Sequence, residues 1–127
     1  MYFAGDTGYD PRMFREIGAR FPGIDLAFIP IAPARPGRKS DRWGHASPEE
    51  ALDIFRDVGA AAMVPIHFEA YYSRGSDHGA PRRRLLAEVE RRGLSDRVFA
   101  LRTGERIAVG DAGPRIIGED GLRVADR

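Results

Sequence analysis

The chain has 127 residues, 20 basic and 19 acidic side chains, a formal charge of +1 and 43% hydrophobic residues. That size supports one domain with a modest core, and the balanced charge gives no global electrostatic case for nucleic-acid binding. Cysteine is absent, which excludes disulfides and leaves His, Asp and Glu as the only ligands for zinc; no apolar run approaches the roughly 20 residues that span a bilayer, so a cytoplasmic location is the expectation.

Residues 1–4 read as a strand that stops at Gly5. Asp6 follows in a turn bracketed by Gly5 and Gly8. Asp10 and Pro11 then open a helix over 11–20, as N-cap and first-turn residues, with Met13, Phe14 and Ile17 as its apolar stripe. Phe21-Pro22-Gly23 ends it. Residues 24–31 form a second strand, apolar on successive positions like a strand buried on both faces. The stretch 30–46 has no hydrophobic period, and loops of that length in small domains are functional or disordered. Residues 47–59 carry the clearest helix signal, with Ser47 as N-cap, Pro48 in the first turn and Glu50 completing a capping box. Residues 61–66 are a third strand running into His67, and 81–92 are a third helix. Its Arg82-Arg83-Arg84 and Arg91-Arg92 clusters read as a solvated face. Residues 98–102 and 106–109 flank Thr103-Gly104-Glu105, which predicts a hairpin. A weak terminal hairpin of 116–117 with 122–124, or a tail, is expected over 111–127.

Strands alternating with helices predict an α/β layered fold. In such folds ligands sit where strands end and loops begin. Asp6, the loop after Ile31 and His67 all fall at such ends and are expected to share one edge. Each also has an ordinary reading. Aspartate between glycines is common in turns, a histidine at a strand end is often a satisfied rim residue, and His45 is a loop residue just before a helix cap. The positive end of that helix disfavours a protonated imidazole there. His78 is assigned no role.

Taken in order, Gly5-Asp6-Thr7-Gly8-Tyr9, His45-Ala46-Ser47-Pro48-Glu49-Glu50-Ala51 and Pro65-Ile66-His67-Phe68 resemble the C-terminal half of metallo-β-lactamase-fold hydrolases. The branch most similar holds N-acyl-phosphatidylethanolamine-hydrolysing phospholipase D and the UlaG-like lactonases. The resemblance covers about residues 1–110. It implies an αβ/βα sandwich, of which this chain forms one sheet with helices on one face, and a two-zinc site between the halves. It implies that Asp6 bridges the metals, that His67 binds the second metal, and that His45 lies near the substrate phosphate or leaving group. The implied reaction is cleavage of a lipid or small-molecule phosphodiester or related ester. A tRNA 3′-processing nuclease and a non-catalytic partner-binding half-domain are the alternatives.

The family's first-half signature, His-x-His-x-Asp-His, does not occur among these three histidines. The resemblance therefore implies the C-terminal half of a longer hydrolase, with zinc weak or absent in this chain alone. It also implies a second sheet face left bare for the missing half, and hence association with that half or with another copy.

Overall fold

The computed structural model describes residues 1–32, 44–70, 77–110 and 113–117. In chain order the elements are β1 (Tyr2–Phe3), α1 (Pro11–Arg20), β2 (Leu26–Pro30), α2 (Pro48–Asp57), β3 (Ala62–Ile66), α3 (Ala80–Arg91), β4 (Arg106–Gly110) and β5 (Gly113–Ile117). The first three strands make a parallel sheet in the order β1-β2-β3, with Tyr2 beside Ala27 and Ile29 beside Pro65. The last two pair antiparallel. The α/β architecture expected from the strand–helix alternation is the one observed. Among the described residues no helix is long and apolar enough to cross a membrane.

Local chemistry starts the helices where expected. An Asp10 carboxylate oxygen accepts from the amides of Arg12 and Met13 at 2.9 and 3.5 Å. At α2, Ser47 Oγ accepts from the Glu50 amide at 3.2 Å and Glu50 Oε2 accepts from the Ser47 amide at 3.0 Å. These reciprocal bonds satisfy two donors that a helix start otherwise leaves open.

Alternation along the strands sorts their side chains to two faces. Ala27, Ile29, Ile31 and Met63 face the helices, where Phe14, Leu52, Phe55 and Leu85 complete the main core. Leu26, Ala62 and Val64 point the other way. The expectation of a bare second face is corrected here. Those three residues are only 1%, 3% and 4% exposed, because Phe99, Leu101 and Ile107 fold back over them. Phe3, on the same side, stays 66% exposed.

The hairpin expectation is also corrected. Residues 98–102 do not pair with 106–109; β4 pairs with β5 instead, Ile107 beside Ile116. The backbone around Val98 is already committed to β3, where Met63 N–H donates to the Arg97 carbonyl and Phe99 N–H to the Met63 carbonyl, both at 2.8 Å. The opposite edge is occupied as well: Val98 N–H donates to the Leu94 carbonyl at 3.1 Å and Leu101 N–H to the Phe99 carbonyl at 3.0 Å, so those groups are not open to a second strand. Ile116 and Ile117 pair with β4; residues 122–124, expected to pair with them, lie outside the described residues, as does 33–43 of the long loop.

The basic clusters of α3 are not simply a solvated face. Arg84 reaches Glu49 at 2.7 Å and Arg92 reaches Asp53 at 2.9 Å, so two arginines clamp α3 to α2. Within α3, Arg91 and Arg92 hydrogen-bond Glu88 at 2.5 and 2.7 Å. The bond from Arg91, reinforced by Arg92 against a smaller opposing effect of burial, holds the Glu88 carboxyl down to about 2 from its ordinary 4.5. A carboxyl depressed on folding stabilises the fold above its unfolded-state pKa, and that contribution disappears as pH falls through the folded one. Glu88→Gln is therefore expected to be less stable than the parent at neutral pH, with the gap closing between pH 4.5 and about 2. Urea titrations across that range check this, and a gap independent of pH would contradict it.

Candidate metal centre

Three of the segments singled out above meet at the C-terminal edge of the parallel sheet. Gly5, with φ of 66°, turns the chain out of β1, a conformation open to glycine without a Cβ penalty. Asp6 follows, exposed at the rim. His45 sits just before the N-cap of α2, and His67 directly after β3. One ligand atom from each of Asp6, His45 and His67 lies within 4.8 Å of the others. The structure therefore brings together all the site residues that the sequence singled out.

The geometry sets the proton on each ring. His45 Nε2 lies 2.9 Å from Asp6 Oδ1; an ionised carboxylate only accepts, so this nitrogen carries the hydrogen. His67 Nδ1 lies 2.8 Å from the Ala32 carbonyl oxygen. That oxygen also only accepts, so Nδ1 is the protonated atom and Nε2 keeps its lone pair for a metal. The two imidazoles stack, with centroids 5.4 Å apart and planes at 24°. His67 has φ of 60° and Glu69 φ of 59°. Left-handed backbone at such residues costs on the order of 1–3 kcal/mol and persists where the surroundings dictate it. Here the Ala32 contact and the stacked ring of His45 fix the His67 side chain.

The donor set suits a borderline divalent cation such as zinc: one carboxylate oxygen, one imidazole nitrogen with a free lone pair, and a second imidazole beside them. Asp6 and His67 would hold the ion. His45 already engages the Asp6 oxygen. Two ligands fall short of the three protein ligands that a catalytic zinc takes.

The loop that carries Asp6 is held by groups that the sequence did not point to. The Thr7 carbonyl accepts from the Ala46 amide at 2.8 Å. A Cβ at Gly8 would stand 3.2 Å from the Gly44 backbone, so the two segments lie in near contact there. Tyr9 Oη donates to Asp57 Oδ2 at 2.7 Å, at the far end of α2. Burial would push the Asp57 carboxyl up, but the hydrogen bonds from Tyr9 and Arg56 and the charges of Arg56 and Arg15 outweigh it and hold it below the usual range. Tyr9 lies inside the quoted motif, so its presence was visible; nothing in the sequence marked Asp57 as its partner.

Residues 1–68, just over half of the chain, match the family described as beta-lactamase superfamily domain. An uncharacterized protein of Mycobacterium tuberculosis is 37% identical over 94 residues, covering 70% of this chain and 24% of its own length. N-acyl-phosphatidylethanolamine-hydrolyzing phospholipase D 1 of Caenorhabditis elegans is 33% identical over 104 residues, 77% of this chain and 28% of its own length. The mitochondrial N-acyl-phosphatidylethanolamine-hydrolyzing phospholipase D of Saccharomyces cerevisiae is 29% identical over 110 residues, 83% of this chain and 22% of its own length. The chain thus spans about a quarter of the length of the curated relatives it matches.

Proposed function

The chain belongs to the beta-lactamase superfamily, and on that footing we propose that it forms part of a zinc-dependent hydrolase acting on a phosphodiester, with a lipid phosphodiester as the favoured substrate. The observation that carries this is the convergence of Asp6, His45 and His67 within 4.8 Å at the sheet edge. The names of the nematode and yeast relatives support the lipid substrate. A bound divalent ion supplies Lewis acidity, polarising the phosphoryl oxygen and acidifying a water molecule.

The chain's own residues have distinct parts in this reading. The Asp6 carboxylate would help hold the cation and offset its charge. His67 presents Nε2 to the ion while Ala32 fixes its ring. His45 Nε2–H, which donates to Asp6, would turn to a phosphoryl oxygen or to the leaving-group oxygen once the Asp6 carboxylate is taken up by the ion. Two such ligands are fewer than the three that a catalytic zinc takes, and the family's His-x-His-x-Asp-His segment does not occur in this sequence, so the chain alone is expected to bind zinc weakly and to show no useful turnover.

The test is a chimera in which this chain replaces the matching 104-residue stretch of the nematode phospholipase. It is expected to cleave N-acyl-phosphatidylethanolamine in a manner abolished by chelator. In that chimera His45→Ala should lower turnover by about 10²- to 10⁴-fold, the usual worth of a positioned acid or base, with metal content unchanged. Loss of zinc from the His45→Ala protein would move His45 into the ligand set. Chelator-resistant turnover would defeat the metal reading.

A further inference from the structure

We propose that Tyr9 is a positioning residue for the metal centre: its hydroxyl locks the loop that carries Asp6 onto α2 through Asp57. The inference rests on the metal-centre reading above and deepens it. Three contacts tie residues 7–9 to α2 and the segment before it. The Thr7 carbonyl takes the Ala46 amide, Gly8 lies against Gly44, and Tyr9 Oη reaches Asp57 Oδ2 at 2.7 Å. Ala46 adjoins His45 at the start of α2, and Asp57 is the last residue of the helix.

A 10-residue helix is a rigid spacer of about 15 Å. α2 therefore grips the Asp6 loop from both ends and sets the distance between Asp6 and His45. Asp57 suits the task because its side chain is only 4% exposed and is itself held by Arg56 at 3.1 Å and Arg15 at 3.6 Å. The Tyr9 ring is fixed as well, stacked on Phe14 at 6.1 Å and 16°, and Gly18 of α1 packs against the Asp57 carbonyl with no room for a Cβ. Metal affinity depends steeply on groups that orient ligands without touching the ion.

Tyr9→Phe isolates the hydroxyl. It keeps the stacked ring, and it leaves Asp57 paired with Arg56 and Arg15, so no bare buried charge results. Two readouts on the 127-residue chain decide the proposal: amide hydrogen exchange and zinc titration. The Ala46 amide, bonded across to the Asp6 loop, should exchange about tenfold faster or more in the variant, the scale of losing a hydrogen bond to a charged group. The amides of Met63 and Phe99, bonded between β3 and the segment at Val98, should keep their rates. Zinc affinity should fall by a similar factor. An unaccelerated Ala46 amide, a uniform acceleration of all three amides, or an unchanged zinc affinity would overturn the proposal. Should the parent chain alone take up too little zinc to titrate, the affinity comparison is made in the phospholipase chimera; a chimera without zinc ends the metal-centre reading, and the Ala46 exchange rate still decides whether Tyr9 anchors the loop.

Discussion

Asp6→Ala is expected to remove measurable zinc binding from the chain and, in the phospholipase chimera, to lower turnover by at least about 10³-fold. The upper end of the cost of losing one oxyanion donor is about that size, and Asp6 is asked to do more. In the proposed centre it supplies the only carboxylate among the three clustered residues. Its loss leaves two imidazoles facing a dication with no compensating charge. Asp6→Asn should behave almost as badly, since it keeps the shape and loses the charge. Calorimetric titration of the two variants checks the first part and initial rates the second. Zinc binding by Asp6→Ala as tight as by the parent would place the ion elsewhere.

Phe14→Ala is expected to destabilise the fold by about 3–5 kcal/mol, the usual cost of removing a buried aromatic ring. Phe14 is fully buried and is the one buried residue of α1, with half-buried Ile17 packed beside it on the core. Domains of this kind hold only about 5–15 kcal/mol in total, so the variant should be marginal. It also withdraws the ring on which Tyr9 stacks, so the Asp6 loop should loosen in whatever fraction remains folded. Urea unfolding should show a lower midpoint at an unchanged slope. A loss below about 1 kcal/mol would mean that the core closes over the gap far better than such sites do.

The elements and the cluster were legible in the sequence because local chemistry specifies them. Asp10-Pro11 and Ser47-Pro48 mark helix starts by capping, and the structure puts α1 and α2 at those starts. Gly5-Asp6 and Ile66-His67 mark strand ends, and parallel strands with helical crossovers put such ends on one edge. Pairing partners were not legible. Residues 98–102 carry the apolar pattern of a hairpin strand, but whether they pair with 106–109 or lie along β3 depends on a competition between distant segments. The structure resolves it through the bonds between Met63, Arg97 and Phe99. The same folding-back covers Leu26 and Val64, a face that the strands' own sequence could only show to be apolar. The Tyr9–Asp57 bond spans 48 positions, and no local signal announces a partner at that range.

In the proposed centre Asp6 and His67 hold a metal ion with His45 beside it. Anomalous diffraction at the zinc edge from crystals soaked in zinc tests it most directly. A peak is expected about 2.0–2.2 Å from an Asp6 oxygen and from His67 Nε2, with Nδ1 of His67 still donating to Ala32. Zinc density at other residues, with the Asp6–His45 pair and the His67 ring unchanged and unoccupied by metal, would contradict it.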